Sequence, residues 1–377
     1  MRTAEIAGGG IAGLSVAWAL ARYGWRVRVH ERGPEIREIG AGIFLMNNSL
    51  SIFEHYGIAD LILRRAVRLR ASERRERDGS LIQRRTLSDS DRWLVLPRSD
   101  LVLGLAEAAR REGVEIATGS LVTHADADGT IHLADGTACQ ADLVVGADGF
   151  HSQVRDRLRL AIHAEPRRSG ATRVLLARTE AEAEPALREH WSGKRRVGIT
   201  PCAPDLTYAY LSCPMADARG SAIPIDIASW QEAFPAIAGF FERMPNALGV
   251  TRHAYPHAVV RSWSAGRVAL LGDAAHGLPP TLAQGAGLAI TNGYALARIL
   301  EHEPDVPAAL ARWERQFRGI ADQTQRWSIR LDVLTTRWPH ALRVLRRAIL
   351  WGIGRSNWLN SRIRVADRVR LAGADIR

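Results

Sequence analysis

A chain of 377 residues with 46% hydrophobic content is long enough for one large or two ordinary domains and carries the apolar material for their cores. It contains no apolar run of about 18 residues, and Met1-Arg2-Thr3 leads straight into a strand pattern, so neither a spanning helix nor a signal peptide is expected. The formal charge of +11 comes from 51 basic against 40 acidic residues, with Lys194 the sole lysine; arginines occur along the whole chain without a long basic run, aromatic–basic stacking motif or zinc spacing, which reads as general surface charge and argues against a nucleic-acid partner.

The first strand runs into Ile6-Ala7-Gly8-Gly9-Gly10-Ile11-Ala12-Gly13, a G-x-G-x-x-G turn made by Gly8, Gly10 and Gly13. Gly8 permits the tight turn, Gly10 removes the side chain that would block a pyrophosphate, and Gly13 lets helix and strand pack closely. Residues 14–22 read as the following helix, Gly24 ends it, and 25–31 read as a second strand with alternating apolar positions. Glu31 closes that strand roughly 20 positions after the glycines, where an acid accepts hydrogen bonds from a ribose diol; the alternative is a solvated strand-end carboxylate.

Strand and helix patterns alternate to about residue 160, with a strand pair at 121–124 and 131–133 joined by the turn Asp126-Ala127-Asp128-Gly129. Mid-chain, the apolar Asp142-Leu143-Val144-Val145 runs into Gly146-Ala147-Asp148-Gly149, delivering a carboxylate and unobstructed backbone to its end. Segments 172–176, 196–199 and 207–211 read as neighbouring strands of one sheet, 229–247 as helix, and 250–263 as a strand and the approach to a third motif, Leu270-Leu271-Gly272-Asp273-Ala274-Ala275-His276. From Gly285 the pattern is helical to the end, and the tail from Pro307 reads as packed helices. Cys139, Cys202 and Cys213 are too few and scattered for disulfides or a metal, and are expected to be buried, inert thiols in a reducing cytoplasm.

Taken together, the three motifs resemble those of the single-component FAD-dependent aromatic hydroxylases (group A flavoprotein monooxygenases), which include 3-hydroxybenzoate, salicylate, urate and alkylquinolone hydroxylases. The resemblance spans roughly residues 4 to 325. It implies an α/β fold: a Rossmann-like FAD-binding domain of discontinuous segments (1–160 plus 264–325), a mixed-sheet substrate domain (161–263) and C-terminal helices (326–377). It assigns Gly8, Gly10, Ala12, Gly13, Glu31 and Arg32 to the ADP half of FAD, Val122 to the adenine, and Arg98 to the ribityl chain and pyrophosphate. Asp148 and Gly149 fall in the motif associated with both FAD and the nicotinamide donor. Asp273 is assigned to the ribityl chain, and Pro280, Gly285, Ala286 and Gly287 to the loop and helix start along the isoalloxazine, where a helix N-terminus favours negative charge on reduced flavin. Gly277, Ala283 and Thr291-Asn292 depart from the family pattern, which has Pro, Gly and Glu-Asp there.

The implied activity is hydroxylation of an aromatic or heteroaromatic small molecule: NADH or NADPH reduces the flavin, and O2 then forms a C4a-hydroperoxide whose distal oxygen is transferred. By resemblance to urate-type enzymes, Arg196 stabilises developing negative charge on the substrate and Tyr208 positions it or relays a proton. The alternative for these two is an outward-facing edge-strand arginine and a packing tyrosine. Val174-Leu175 stand where many members have a Trp-Arg pair, so that substrate contact is expected to be missing. His151, His253, His257 and His276 are candidate bases among which nothing selects, and their spacings match no metal site. Two rivals are carried. One is a flavin halogenase or an epoxidising relative, of which halogenation would need Lys194 as its halogen carrier. A peripheral-membrane hydroxylase of a lipid-like quinone or quinolone would dock through Trp313, Trp327, Trp338, Trp351 and Trp358 interleaved with Arg343, Arg346 and Arg347, although a packed tail is the favoured reading.

Overall fold

A computed structural model of the chain describes residues 1–36, 41–336 and 356–369, with the single positions 345, 348, 349 and 352. The strand Thr3–Ala7 turns into the helix Ile11–Arg22, which starts three residues earlier than its apolar pattern suggests because extended Gly10 is its N-cap. Leu14, Val16, Ala17, Trp18 and Leu20 are all buried, so this helix is apolar on every side. It lies between the sheet and the helices Arg98–Arg111 and Gly285–His302.

Six strands form the cofactor-side sheet in the order Ser264–Ala265, Val268–Leu270, Leu143–Gly146, Thr3–Ala7, Arg26–Glu31, Glu115–Thr118. All neighbours are parallel except the first pair. The register matters: Ala7 pairs with Gly146, and Gly146 with Leu270, so the three glycine-bearing motifs leave the carboxyl ends of adjacent strands side by side. In open parallel sheets that edge is where ligands bind.

A second, seven-stranded sheet runs in the order Leu248–Ala254, Ser169–Ala177, Leu206–Pro214, Arg195–Pro201, Ala186–Ser192, Ala71–Glu76, Leu81–Thr86. The layer carried by residues 161–263 thus also takes two strands from 71–86. Side chains alternate across it. Val174, Leu176, Val197, Ile199, Ala209 and Leu211 face a core with Trp230, Phe234 and Phe241, while their neighbours face the opposite way.

Several expectations change. The helix read over 229–247 is four short pieces, Ile227–Ala233, Pro235–Ile237, Ala238–Phe241 and Met244–Asn246, broken at Pro235 and Pro245. The stretch 250–263 is two strands, Leu248–Ala254 and Ala258–Val260, interrupted at Pro256. Cys202 and Cys213 are buried, but Cys139 is only half-buried. In the tail, Val306–Thr336 is one 31-residue helix. Trp313 is fully buried, its indole N–H donating to the Asn292 carbonyl at 3.0 Å, whereas Trp358 is exposed. Trp338, Trp351, Arg343, Arg346 and Arg347 lie outside the described residues. Among those described, no helix is long and apolar enough to cross a membrane.

Candidate active site

A cavity of about 1380 Å³ lies between the carboxyl edge of the parallel sheet and the open face of the seven-stranded one. From the first motif Gly10, Ile11 and Ala12 line it; from the second, Ala147 and Gly149; from the third, Gly272 and Asp273; from the following loop, Pro280 to Ala286; and between them Arg98. Its sheet wall presents Arg173, Glu189, Trp191, Arg196, Tyr208, Tyr210 and His253.

The glycine turn has the geometry its spacing implies. Gly8 sits at φ +102°, and a Cβ there would lie 2.5 Å from the Ala147 carbonyl oxygen; one on Gly13 would strike the Gly8 carbonyl. A Cβ on Gly10 would meet nothing within 4 Å, because that position opens on the cavity. Glu31 locks the turn from behind, its Oε2 accepting from the Gly9 N–H at 2.9 Å and Oε1 from Gly33 at 2.7 Å. Arg32 is exposed and Val122 is buried in the core; neither lines the cavity.

Asp148 uses Oδ2 to accept from the Gln153 and Val154 amides at 2.8 and 3.2 Å, and its buried Oδ1 has no partner among the described residues. Burial raises its pKa against the Ser152 hydroxyl and those backbone amides. Asp273 keeps accessible surface only because it faces the cavity; burial raises its pKa, and Arg98 and Arg173 pull it back. Beyond it, Pro280, Gly285 and Ala286 line the cavity, while Gly287 packs on the Asn48 side chain. Ala283, where the family pattern has Gly, adopts the left-handed conformation at φ +54°. An alanine there stores roughly 1 kcal/mol of strain.

These residues fit a flavin dinucleotide. An open backbone position caps a helix N-terminus, an acid holds the preceding amide, a second helix N-terminus opens on the cavity at Gly285, and a cation, Arg98, stands beside the acid Asp273.

On the substrate side, Arg196 is not on an edge. Its strand lies inside the sheet, the residue is 5% exposed, and its guanidinium reaches Glu189 Oε1 at 3.4 Å and Ser212 Oγ at 3.5 Å. Burial opposes its charge, but Glu189 with Tyr255, Tyr210 and Asp332 together outweigh it, and the group stays protonated. Tyr208 is equally buried, its ring lying over Gly42, where a Cβ would come within 2.5 Å of it. Burial raises its pKa, leaving an O–H donor beside Arg173. One position before Val174, Arg173 lines the cavity, because alternation turns Val174 into the core and Arg173 toward the opposite face. Tyr210 follows Tyr208 on the same face by the same rule.

Of the histidines, His276 is buried against Trp263, with Nε2 3.3 Å from the Asn292 amide nitrogen. Burial pushes its pKa down to about 4, so it is neutral and holds the loop. His151 and His253 line the cavity; His257 sits beside His163 outside its lining. The unfolded chain binds a proton on His276 near pH 6.5 and the folded chain only near 4, so stability falls as pH drops through that window. The loss amounts to roughly 3 kcal/mol at its lower end. Urea unfolding of wild type and His276→Gln between pH 7 and 4 is expected to show a shallower decline in the variant.

His124, Asp126 and His132 come together across a hairpin, all their ligand atoms within 4.8 Å. They lie outside the cavity lining, with His132 Nε2 already 2.9 Å from Asp126. Lys194 occupies an exposed hairpin turn away from the cavity lining, which removes the support for a halogen carrier.

A family model described as an FAD binding domain matches residues 1–327. A 2-heptyl-3-hydroxy-4(1H)-quinolone synthase of Mycobacteroides abscessus is 36% identical over 360 residues, covering 94% of this chain and 95% of the relative. A probable enzyme of the same name from Rhodococcus erythropolis is 36% identical over 339 residues, 88% of each chain. Among solved structures, a 2-methyl-3-hydroxypyridine-5-carboxylic acid oxygenase superposes with a TM-score of 0.86 at 33% identity, covering 98% of this chain and 96% of the other.

Proposed function

The chain belongs to the FAD binding domain family and is an FAD-dependent monooxygenase, and from that premise we propose that it hydroxylates a 4-quinolone-type nitrogen heterocycle carrying an apolar substituent. The observation that carries this reading is Arg173 facing the cavity beside the Tyr208 hydroxyl, in no ion pair among the described residues, with Phe44, Trp93, Leu187 and Trp191 lining the same space. Two donors suit a ring carbonyl oxygen, and the aromatic and aliphatic walls suit a bicyclic ring with a tail. The relatives at 36% identity are named for such a ring.

Bound FAD, reduced by NADH or NADPH, activates O2 and supplies the oxygen atom. In this reading residues 1–160 and 264–325 hold it, with Gly8, Gly10, Gly13, Glu31, Arg98 and Asp273 at its phosphates and sugars. Residues 161–263, joined by 71–86, hold the substrate. Tyr208 donates its O–H to the ring carbonyl, Arg173 binds the partial negative charge which that oxygen carries and so orients the ring, and the apolar walls exclude water. Arg196 acts from the same wall through its contact with Glu189. The three unpaired thiols suit action in a reducing cytoplasm.

The reading is tested by following NADH and NADPH consumption by the holoenzyme against alkyl-4-quinolones, hydroxybenzoates and hydroxypyridine carboxylates. Stimulated consumption with hydroxylated product is expected for the quinolones. Faster coupled turnover of the carboxylates would overturn it.

A further inference from the structure

We propose that Glu189, held by Tyr210 and Arg196, is an acceptor subsite for the ring N–H of the substrate; the proposal rests on the substrate class just given. Glu189 lies on the interior strand Ala186–Ser192 and alternates with Leu187 and Trp191 on the cavity face. The Tyr210 hydroxyl donates to its Oε1 at 2.9 Å, and the Arg196 guanidinium reaches the same oxygen at 3.4 Å. Ser212 steadies Arg196 and itself accepts from the Tyr255 hydroxyl at 2.7 Å. Both donors converge on Oε1, and Oε2 receives none from the described residues. The side chain is only 12% exposed, so Oε2 has the cavity rather than bulk water in front of it. A carboxylate oxygen in such a space is a strong acceptor for a ligand donor.

The sheet register sets this subsite opposite the carbonyl-binding one. Arg173 pairs across strands with Tyr210, Tyr210 with Gly198, Gly198 with Glu189, and Glu189 with Arg74. Arg173 and Glu189 therefore stand three strand spacings apart, ~14 Å between backbones, with their side chains projecting over the same floor. Gly198 is required between them, since any Cβ there would strike the Tyr210 ring. Arg74, the nearest other cation in the row, is engaged by Gln83 at 2.5 Å. A donor pole at Arg173 and Tyr208 with an acceptor pole at Glu189 complements a ring that carries C=O on one side and N–H on the other. The acceptor pole also repels a second carboxylate, which gives the site a means of rejecting benzoates.

The same contact assists the chemistry. When the ring carbon conjugated to nitrogen gives its electron pair to the oxygen atom, a C–O bond forms and the nitrogen becomes electron-poor. Its N–H bond to Glu189 strengthens at that moment, so the contact favours the transition state over the ground state. The nitrogen keeps its hydrogen; the hydrogen on the attacked carbon leaves as a proton to water, restoring the ring. O2 and NAD(P)H are the oxidant and two-electron donor, and the second oxygen atom leaves as water.

The test compares a 4-quinolone with its N-methyl analogue on wild-type and Glu189→Gln holoenzyme, with affinity read from the flavin absorbance perturbation and turnover from product. Wild type is expected to favour the N–H compound by about tenfold to a hundredfold in kcat/KM. In Glu189→Gln that ratio falls toward one. Should the Gln variant lose FAD or unfold, Tyr210→Phe takes its place, and the ratio is expected to shrink as Oε1 loses a donor. Equal turnover of both compounds by wild type, or an undiminished ratio in the variants, overturns the Glu189 assignment while leaving the substrate class intact. No turnover of either compound, with carboxylates accepted, overturns the substrate class and the assignment with it.

Discussion

Gly10→Glu is expected to fold and to emerge colourless. The residue is the extended N-cap of the helix Ile11–Arg22, and a side chain built there meets no protein atom within 4 Å. The apo fold therefore has no steric reason to object, and a carboxylate at a helix N-terminus is favoured by the helix dipole. The same carboxylate enters the cavity where the proposed site holds the cofactor pyrophosphate, and sets like charge against it. Like-charge juxtaposition costs several kcal/mol, which lowers FAD affinity by at least about a hundredfold. Flavin absorbance after gel filtration, beside a melting curve recorded without added FAD, checks both halves. A variant that retains stoichiometric FAD would mean the dinucleotide does not cross this turn.

Removing Arg196 is the second large change. Its guanidinium is buried beside Glu189, and Arg196→Ala leaves that carboxylate without its cation, while Ser212 keeps only the Tyr255 hydroxyl as donor. Breaking a buried pair in this way costs about 3–5 kcal/mol. Neutralising both partners is far milder, so Arg196→Met with Glu189→Gln is expected to recover most of the stability in urea unfolding. It is not expected to recover turnover, because Tyr210 then orients an amide in place of a charged acceptor. The difference between the recovered unfolding midpoint and the lost kcat/KM separates the pair's structural role from its role toward substrate. A single variant as stable as wild type would show that water, not Glu189, compensates the arginine. Full turnover by the double variant would remove both residues from the substrate machinery.

Much of the cofactor side was legible along the chain, since local conformation carries it. Gly8 needs a positive φ and Gly13 needs close approach, both within a few residues, whereas Glu31, read as a ribose acceptor, accepts from the Gly9 and Gly33 amides. That three distant motifs share one edge follows from the parallel order of their strands, which the resemblance implied and the register of Ala7, Gly146 and Leu270 makes explicit. The substrate side was harder. Alternation alone points Tyr208 and Tyr210 one way, and Arg173 was within reach of the same argument. Glu189 was not, because what it does depends on Gly198 and Tyr210 lying beside it across two strand pairings that no local pattern reveals. The edge-strand alternative for Arg196 could not be dismissed from the sequence for the same reason: its outer neighbours include a strand from residues 71–76. The helix read over 229–247 failed at Pro235 and Pro245, whose missing amide donors outweighed an apolar period. Asn292, a departure from the family acid, turned out to face His276, pairing a neutral amide with a neutral imidazole.

The most direct measurement is product analysis after incubating the purified, yellow holoenzyme with NAD(P)H, isotopically labelled dioxygen and an alkyl-4-quinolone. One labelled oxygen atom on the ring, formed in step with nicotinamide oxidation and dependent on quinolone, is the predicted result. Nicotinamide oxidation that no aromatic ring stimulates, with every ring recovered unlabelled, would contradict it.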